Sequence, residues 1–207
     1  MLHAGHIGAL ELREKPGGGN VRLRGTFPYG KLATLSDGGR NGGRPRKEKF
    51  APDAFAYNVN NSDVDILFMA GHRFDRPLAS RAAGTLELQD TDAALIMLAT
   101  ITPQVQETSW ARDFLAAFSA GLVMGLSPGF RLPPQRTVPN AETVEEEDPS
   151  LGDALIRTVF AALLYEISAV TKPAYEDATI EARNWTPGQA SPQSVTGAVQ
   201  VARRWRA

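Results

Sequence analysis

Residues 122–132 read LVMGLSPGFRL, an apolar segment that contains the pattern Gly-x-Ser-x-Gly at positions 125–129. The apolar residues on both sides predict a buried strand, interrupted at Pro128 and Gly129. In many serine hydrolases this pattern forms a strained turn that exposes the nucleophilic hydroxyl. Small and polar residues also collect at turns for structural reasons, so the pattern alone allows either a nucleophile at Ser127 or a simple bulge at a strand end.

Two observations argue against the α/β-hydrolase version of this pattern. Those enzymes place the histidine after the serine in the chain, whereas every histidine here precedes residue 127. Their oxyanion hole also uses the backbone N–H of the residue that follows the nucleophile, and Pro128 has no N–H. The histidine order also counts against a small-molecule esterase. A nucleophilic Ser127 would therefore need a base from upstream in the chain.

The candidate base is His72, and the candidate third residue is Glu166. Two of the three histidines, His3 and His6, lie at the very start of the chain, whereas His72 ends the apolar run DILFMA. A serine hydroxyl is a poor nucleophile until a positioned base accepts its proton. Glu166 interrupts the apolar run VFAALLYEISAV, where a carboxylate without a partner would be costly to bury. Strand alternation could equally turn it towards solvent.

Composition narrows the class of protein. A chain of 207 residues with 22 Lys+Arg and 23 Asp+Glu has no excess of positive charge for nucleic acid or an anionic membrane. The absence of cysteine excludes disulfides and thiolate metal sites, and so few histidines argue against a histidine metal centre. No signal peptide is evident, and the apolar runs fall short of the roughly 18 residues that span a bilayer. We expect a soluble protein of a reducing compartment.

The pattern along the chain predicts many short strands and few helices, hence an α+β, mainly β fold or a barrel. The clearest helix is TSWARDFLAAFSAG at 108–121, and the acidic segment 133–153 is expected to be a solvated excursion with partner binding as the alternative. We expect a single domain over 1–183 and a flexible tail over 184–207. Two strand pairs are predicted, a hairpin from ALELRE and NVRLRGTF and a second pair from GTLELQD and AALIMLATI. One long strand is predicted over IRTVFAALLYEISAVTKPAY. A surface loop is expected at 36–47, and a short helix after KFAP.

Four segments together resemble one known family. KFAPDAF, GHRFDRPLA, GLSPGF and YEISAVTKPAYEDA occur in this order along the chain. Each segment is similar to a motif of the prohead (procapsid maturation) serine proteases of tailed phages, which are distant relatives of the herpesvirus assemblins. The resemblance extends from about residue 10 to about residue 182.

The resemblance implies roles for individual residues. Ser127 would be the nucleophile, His72 the general base and Glu166 the third catalytic residue, with Asp75 and Asp92 as alternatives for the third position. Two departures from the family pattern are Ala79, where glycine is usual, and Pro128, where an aliphatic residue is usual. Because Pro128 has no N–H, the oxyanion hole would use other donors: the N–H of Gly129, the side chain of Arg131, or an ordered water.

The resemblance also implies a fold and an activity. The fold would be a small, mostly antiparallel β-barrel flanked by helices. The activity would be peptide hydrolysis through an acyl-enzyme, without a metal or organic cofactor. The substrates would be the scaffold and major capsid protein inside the assembling procapsid, in the host cytoplasm. The enzyme would also cleave itself. We expect a homo-oligomer. The alternative is a catalytically inactive capsid-assembly or scaffolding protein of the same fold, which would use the acidic segment and the basic ending ARRWRA as contacts.

Overall fold

The computed structural model describes residues 2–3, 9–13, 19–38, 43–123 and 125–171. Within these ranges the chain forms three β-sheets and short helices. The mainly β expectation is confirmed, whereas the three sheets of the described residues do not close into a barrel. The tail predicted over 184–207 lies outside the described residues.

The first sheet contains residues Gly125–Arg131 as strand β10, next to its central strand. Its strands lie in the order β1-β10-β13-β6-β7. All neighbours in this sheet are antiparallel except β13 and β6, which are parallel. Their bounds are β1 Leu2–His3, β6 Leu67–Ala70, β7 Pro77–Ser80, β10 Gly125–Arg131 and β13 Leu163–Val170.

The second sheet confirms two predicted strand pairs. The described parts of ALELRE and NVRLRGTF pair antiparallel, as do GTLELQD and AALIMLATI. The four strands lie in the order β2-β3-β9-β8, because β3 also pairs with β9. Their bounds are β2 Ala9–Arg13, β3 Val21–Pro28, β8 Leu86–Asp90 and β9 Ala94–Ile101.

The third sheet corrects two predictions. The predicted single strand from IRTV to AVTK is two strands in different sheets: β12 (Leu155–Val159) pairs with β11 and β5, whereas β13 belongs to the first sheet. Residues 133–153 are not wholly a solvated excursion, because β11 (Glu142–Glu146) forms an edge strand there. The strand order is β11-β12-β5-β4, and the remaining bounds are β4 Ala33–Ser36 and β5 Arg46–Phe50.

Both predicted helices form. Helix α1 is Ala56–Asn60, α2 is Pro103–Gln106, and α3 is Ser109–Ser119. The Thr108 hydroxyl caps the start of α3, and Gly121, with φ 71°, follows its end as expected for a helix C-terminus. No helix among the described residues is long and apolar enough to cross a membrane.

Aromatic side chains pack the three sheets together. The Phe130 ring of β10 lies 5.1 Å from that of Phe50 in β5, which in turn lies 5.5 Å from that of Phe27 in β3. On α3, Phe114 packs edge-on against Phe68 of β6, with ring centroids 6.1 Å apart. Burying one such ring contributes about 1.5–3 kcal/mol, so these contacts fix β10 and β6 from the core side.

Candidate active site

Ser127, Glu166 and their neighbours share one face of the first sheet. In the antiparallel pair β10–β13, Ser127 lies opposite Ser168, and Gly129 lies opposite Glu166. Directly opposed residues point to the same face, as do residues two apart on a strand. All four are buried: Ser127 is 4% exposed, and Glu166 and Ser168 are 0% exposed. The face therefore carries a hydroxyl and a carboxylate that belong to different strands.

His72 reaches this face from a tight turn. The strand β6 runs parallel to β13 and ends at Ala70, so the predicted strand stops two residues before the histidine. Gly71 and His72 follow with φ of 67° and 58°, and a left-handed conformation is uncommon for a histidine. The turn is held to β13 by two bonds: Gly71 N–H donates to the Ala169 carbonyl at 3.0 Å, and His72 N–H donates to Ser168 Oγ at 2.9 Å.

The Glu166 carboxylate is hydrogen-bonded at both oxygens. His72 Nδ1 lies 2.7 Å from Oε1, and Ser168 Oγ donates to Oε2 at 2.7 Å. Since an ionised carboxylate only accepts hydrogen bonds, this contact assigns the imidazole proton to Nδ1 and leaves the lone pair on Nε2. The His72 side chain is 21% exposed, whereas that of Glu166 is 0% exposed. The carboxylate is thus buried with partners, as the sequence argument required.

A β-bulge explains how an acid in an apolar strand faces the site. The register shifts after Gly129, so that Phe130 pairs with Leu164 and Tyr165 becomes the extra residue of β13. In a regular strand Leu164 and Glu166 would share a face. The bulge instead sends Leu164 into the core with Phe130, both 0% exposed, while Glu166 points towards His72. Simple alternation therefore fails at this position.

Gly129 provides the space that the carboxylate occupies. A Cβ at this position would lie 2.0 Å from Glu166 Oε1 and 2.6 Å from its Cδ. Any side chain would collide with the acid in the position that bonds His72. The second glycine of Gly-x-Ser-x-Gly is therefore explained here by the close approach of Glu166.

Pro128 does not interrupt its strand, which corrects the prediction. The strand β10 continues from Gly125 to Arg131, and Pro128 pairs with Ile167. Proline is tolerated in a sheet where its missing N–H is not required by a neighbour. Among the described residues, β1 pairs only with Phe130 and Gly129, so β10 has no partner on that side at Pro128.

The other candidate acids and donors lie elsewhere. Asp75 bonds to Arg73, with Asp75 Oδ2 2.9 Å from Arg73 Nη2, and this contact keeps the pKa of Asp75 below its usual value. Asp92 is exposed in the turn between β8 and β9. The Arg131 guanidinium, proposed as an oxyanion donor, lies 5.6 Å from the centroid of the Tyr165 ring. Of the three acids considered, Glu166 is the one hydrogen-bonded to His72.

Away from this site, Tyr29 and Asp90 form a hydrogen-bonded pair in which the pKa of both groups is raised. The Tyr29 hydroxyl donates to Asp90, and burial, followed by this bond, raises the pKa of Tyr29 far above its ordinary value. Burial is also the main cause of the raised pKa of Asp90. No group of three or more His, Asp or Glu side chains in the described ranges is arranged to hold a metal ion.

Comparison with protein-family models gives one match. Residues 38–190 match the model of the caudovirus prohead serine proteases, a range that contains His72, Ser127 and Glu166. The chain belongs to this family. It is accordingly a serine peptidase of phage capsid maturation, which confirms the family resemblance found in the sequence. Searches of curated proteins and of solved structures gave no match.

Sequence reasoning overlooked two residues that shape the site of this prohead protease family member. Ser168 binds both Glu166 and His72, yet the sequence analysis predicts no role for it within the segment YEISAV. The sequence analysis predicts Gly129 as an N–H donor, whereas in the structure its lack of a side chain makes room for Glu166. Strand alternation would have identified Ser168, because Glu166 and Ser168 are polar residues two apart in an apolar strand.

Proposed function

We propose that Ser127, His72 and Glu166 form the catalytic triad of an endopeptidase that cleaves scaffold and major capsid protein in the assembling procapsid, within the host cytoplasm. The observation that carries the proposal is the 2.7 Å contact between His72 Nδ1 and the fully buried Glu166, on the face of the sheet that also bears Ser127. Family membership supplies the reaction class.

The proposed mechanism follows from the imidazole tautomer. With the Nδ1 proton bonded to Glu166, Nε2 can take the proton of Ser127 as Oγ attacks the carbonyl carbon of the scissile peptide. His72 then delivers this proton to the leaving amine, and the C–N bond breaks to give an acyl-enzyme. A water molecule attacks the ester, gives its proton to His72, and releases the carboxyl product and the free serine. Glu166 holds the ring and stabilises its protonated form.

The oxyanion donor is part of the proposal. Pro128 cannot donate, and the Arg131 guanidinium lies over the Tyr165 ring, while the Arg131 backbone is four residues, or roughly 13 Å, along the strand from Ser127. These two facts favour the Gly129 N–H or an ordered water over Arg131.

The domain boundary and self-cleavage rest on sequence. We propose a protease domain over 1–183 and a tail over 184–207 that the enzyme removes from itself. Mass spectrometry of the purified chain tests this, because a tail retained in Ser127→Ala and lost in the wild type is expected. Masses that differ only by the oxygen atom removed in Ser127→Ala, with the tail retained in both proteins, would contradict self-cleavage. A homo-oligomer and the barrel of the assemblins also remain expectations of the sequence resemblance.

The main experiment is co-expression of the chain with its cognate major capsid protein, followed by gel analysis of the capsid protein. We expect a shortened capsid band with the wild type and an intact band with Ser127→Ala or His72→Ala. The loss should be on the order of 10⁴-fold or more, as for other serine proteases without a triad member. Processing that is equal in wild type and Ser127→Ala would overturn the proposal and favour a capsid-assembly protein without catalysis.

A further inference from the structure

The Ser168 hydroxyl lies between the two groups that the proposed mechanism must hold in place. It accepts a hydrogen bond from His72 N–H at 2.9 Å and donates one to Glu166 Oε2 at 2.7 Å. We propose that Ser168 is a positioning residue that fixes the Glu166 carboxylate against the His72 imidazole. The inference rests on the proposed function of the site and adds a residue to it.

The directions of these bonds follow from the chemistry of the partners. A backbone N–H only donates, and an ionised carboxylate only accepts. The single hydroxyl proton of Ser168 is therefore directed to Glu166, and its oxygen receives the His72 N–H. Together with the contact between His72 Nδ1 and Glu166 Oε1, the bonds close a ring that runs from the His72 backbone through Ser168 and Glu166 to the His72 side chain.

This ring restricts a torsion that is otherwise loosely determined. The terminal torsion of a glutamate is broad, because it joins an sp³ carbon to a planar carboxylate. A bond to one oxygen alone leaves the plane free to swing about that contact. Ser168 binds the second oxygen and so determines the plane in which Glu166 meets the imidazole. The same hydroxyl also anchors His72 in its left-handed backbone conformation, with φ 58°.

Ser168 is itself unsuited to act as the nucleophile. Ser168 is 0% exposed, its hydroxyl proton is bonded to the Glu166 carboxylate, and its hydroxyl oxygen accepts the His72 backbone N–H. Ser127 lies directly opposite it on β10. The two serines of this cross-strand pair are therefore assigned different tasks: attack for Ser127 and support for Ser168.

The chain contains a matched control for the loss of such a hydroxyl. Ser80 Oγ also donates to a carboxylate, Asp65 Oδ1 at 2.9 Å, and also accepts a backbone N–H, that of Ala83 at 3.2 Å. Ser80 ends β7 at the edge of the same sheet, and its bond to Asp65 is exposed. Ser80→Ala removes the same pair of bonds without contact with His72 or Glu166.

The first measurement is the rate at which a fluorophosphonate probe labels Ser127 in the full chain. The probe forms a bond from Ser127 Oγ to phosphorus and expels fluoride, so it reports nucleophile activation without knowledge of the cleavage sequence. We expect Ser168→Ala to label about 10- to 100-fold more slowly than the wild type, because a charge-assisted bond is lost. Ser80→Ala should label at the wild-type rate, and Ser127→Ala should not label.

The second measurement is the nuclear magnetic resonance signal of the His72 Nδ1 proton. Only three histidines are present, so the signal is assigned by its absence in His72→Ala. We expect a protected Nδ1 proton in the wild type and in Ser80→Ala, and rapid exchange with water in Ser168→Ala. This readout depends on the ring of bonds and not on peptide hydrolysis.

Together the two measurements separate this inference from the proposed function. Wild-type labelling rate and a protected Nδ1 proton in Ser168→Ala would overturn the positioning role while leaving the protease proposal standing. In a second outcome, the wild type does not label at Ser127, but the His72 Nδ1 proton is protected in the wild type and exchanges rapidly in Ser168→Ala. This result would end the triad assignment and retain the support of His72 by Ser168. If Ser168→Ala does not fold, Ser168→Cys keeps the side-chain volume with a weak donor, and the same outcomes apply to it.

Discussion

Two buried glutamates in different sheets have partners of different chemistry. Glu48 of β5 is 1% exposed and bonds to Arg157, its direct strand partner in β12, with Glu48 Oε2 2.9 Å from Arg157 Nη1. Glu166 is 0% exposed and bonds to His72 and Ser168. A guanidinium keeps its proton at every accessible pH, whereas an imidazole exchanges one near neutrality. The first pair can only hold strands together, while the second can also move a proton.

The largest effect should come from exchanging each acid for its amide. Glu166→Gln is expected to lower the rate of capsid cleavage on the order of 10³- to 10⁴-fold with little change in the free energy of unfolding. Glu48→Gln should leave cleavage unchanged and lower the free energy of unfolding by about 1–3 kcal/mol, because Arg157 loses a charged partner but retains Glu142. Cleavage assays and chemical denaturation measure the two quantities. Equal loss of cleavage in both variants would erase the distinction.

Two glycines, each in close contact with a glutamate, allow the same comparison with a smaller expected effect. A Cβ at Gly129 would lie 2.0 Å from Glu166 Oε1, and one at Gly152 would lie 2.4 Å from Glu147 Oε2. Gly129→Ala should displace the Glu166 carboxylate and lower the labelling rate of Ser127 about 100-fold or more, since displacement by about 1 Å is costly at an active site. Gly152→Ala should displace a carboxylate bonded to Lys47 and leave labelling unchanged. Unaltered labelling in Gly129→Ala would contradict the packing role of this glycine.

A half-buried aspartate tests what a neutral partner contributes. Asp90 accepts from the Tyr29 hydroxyl, and in the described part of the chain its buried Oδ2 has no hydrogen-bond partner. Tyr29→Phe should lower the free energy of unfolding by about 1–3 kcal/mol with labelling of Ser127 unchanged. The hydroxyl bond favours the ionised form against the burial that raises the pKa of Asp90. The cost should therefore be larger at neutral pH than at about pH 2, which lies below both the ordinary and the raised pKa, so that the carboxyl is protonated in the folded and the unfolded protein. Denaturation at both pH values gives the difference, and a cost that is equal or larger at low pH would argue against this account.

The smallest effect concerns the pair of Lys47 and Glu147, whose side chains are 26% and 6% exposed. The bond from Lys47 lowers the pKa of the Glu147 carboxyl, so the pair stabilises the fold above the ordinary glutamate pKa and loses that contribution as pH falls through the lowered one. The stability difference between the wild type and Lys47→Met should shrink with acidification, as followed by denaturation midpoints. A difference that grows at low pH would show that another group controls it. Labelling of Ser127 should be unaffected.

Local signals predicted most of the secondary structure. The helix over 109–119 has a capping threonine, helical spacing of its aromatic residues and a terminal glycine, and it forms as expected. The hairpins around β3 and β9 follow from alternation and turn residues. The predictions failed where pairing partners decide the outcome. The acidic residues 142–146 become a strand because β12 lies beside them, and one apolar run divides because its halves join different sheets.

The sequence by itself determined the family and the mainly β class, and it predicts Ser127, His72 and Glu166 as the site residues, because the chemistry of a serine nucleophile limits which side chains can serve it. Only the tertiary structure decided that Glu166 faces His72, since that depends on a bulge at Tyr165 and on the missing side chain of Gly129. It also brought Ser168 into contact with both residues through the parallel pairing of β13 with β6, two strands that are distant in the chain. A short turn fixes the register of a hairpin, whereas the register of strands that are distant in the chain depends on which residues they bury together in the folded protein.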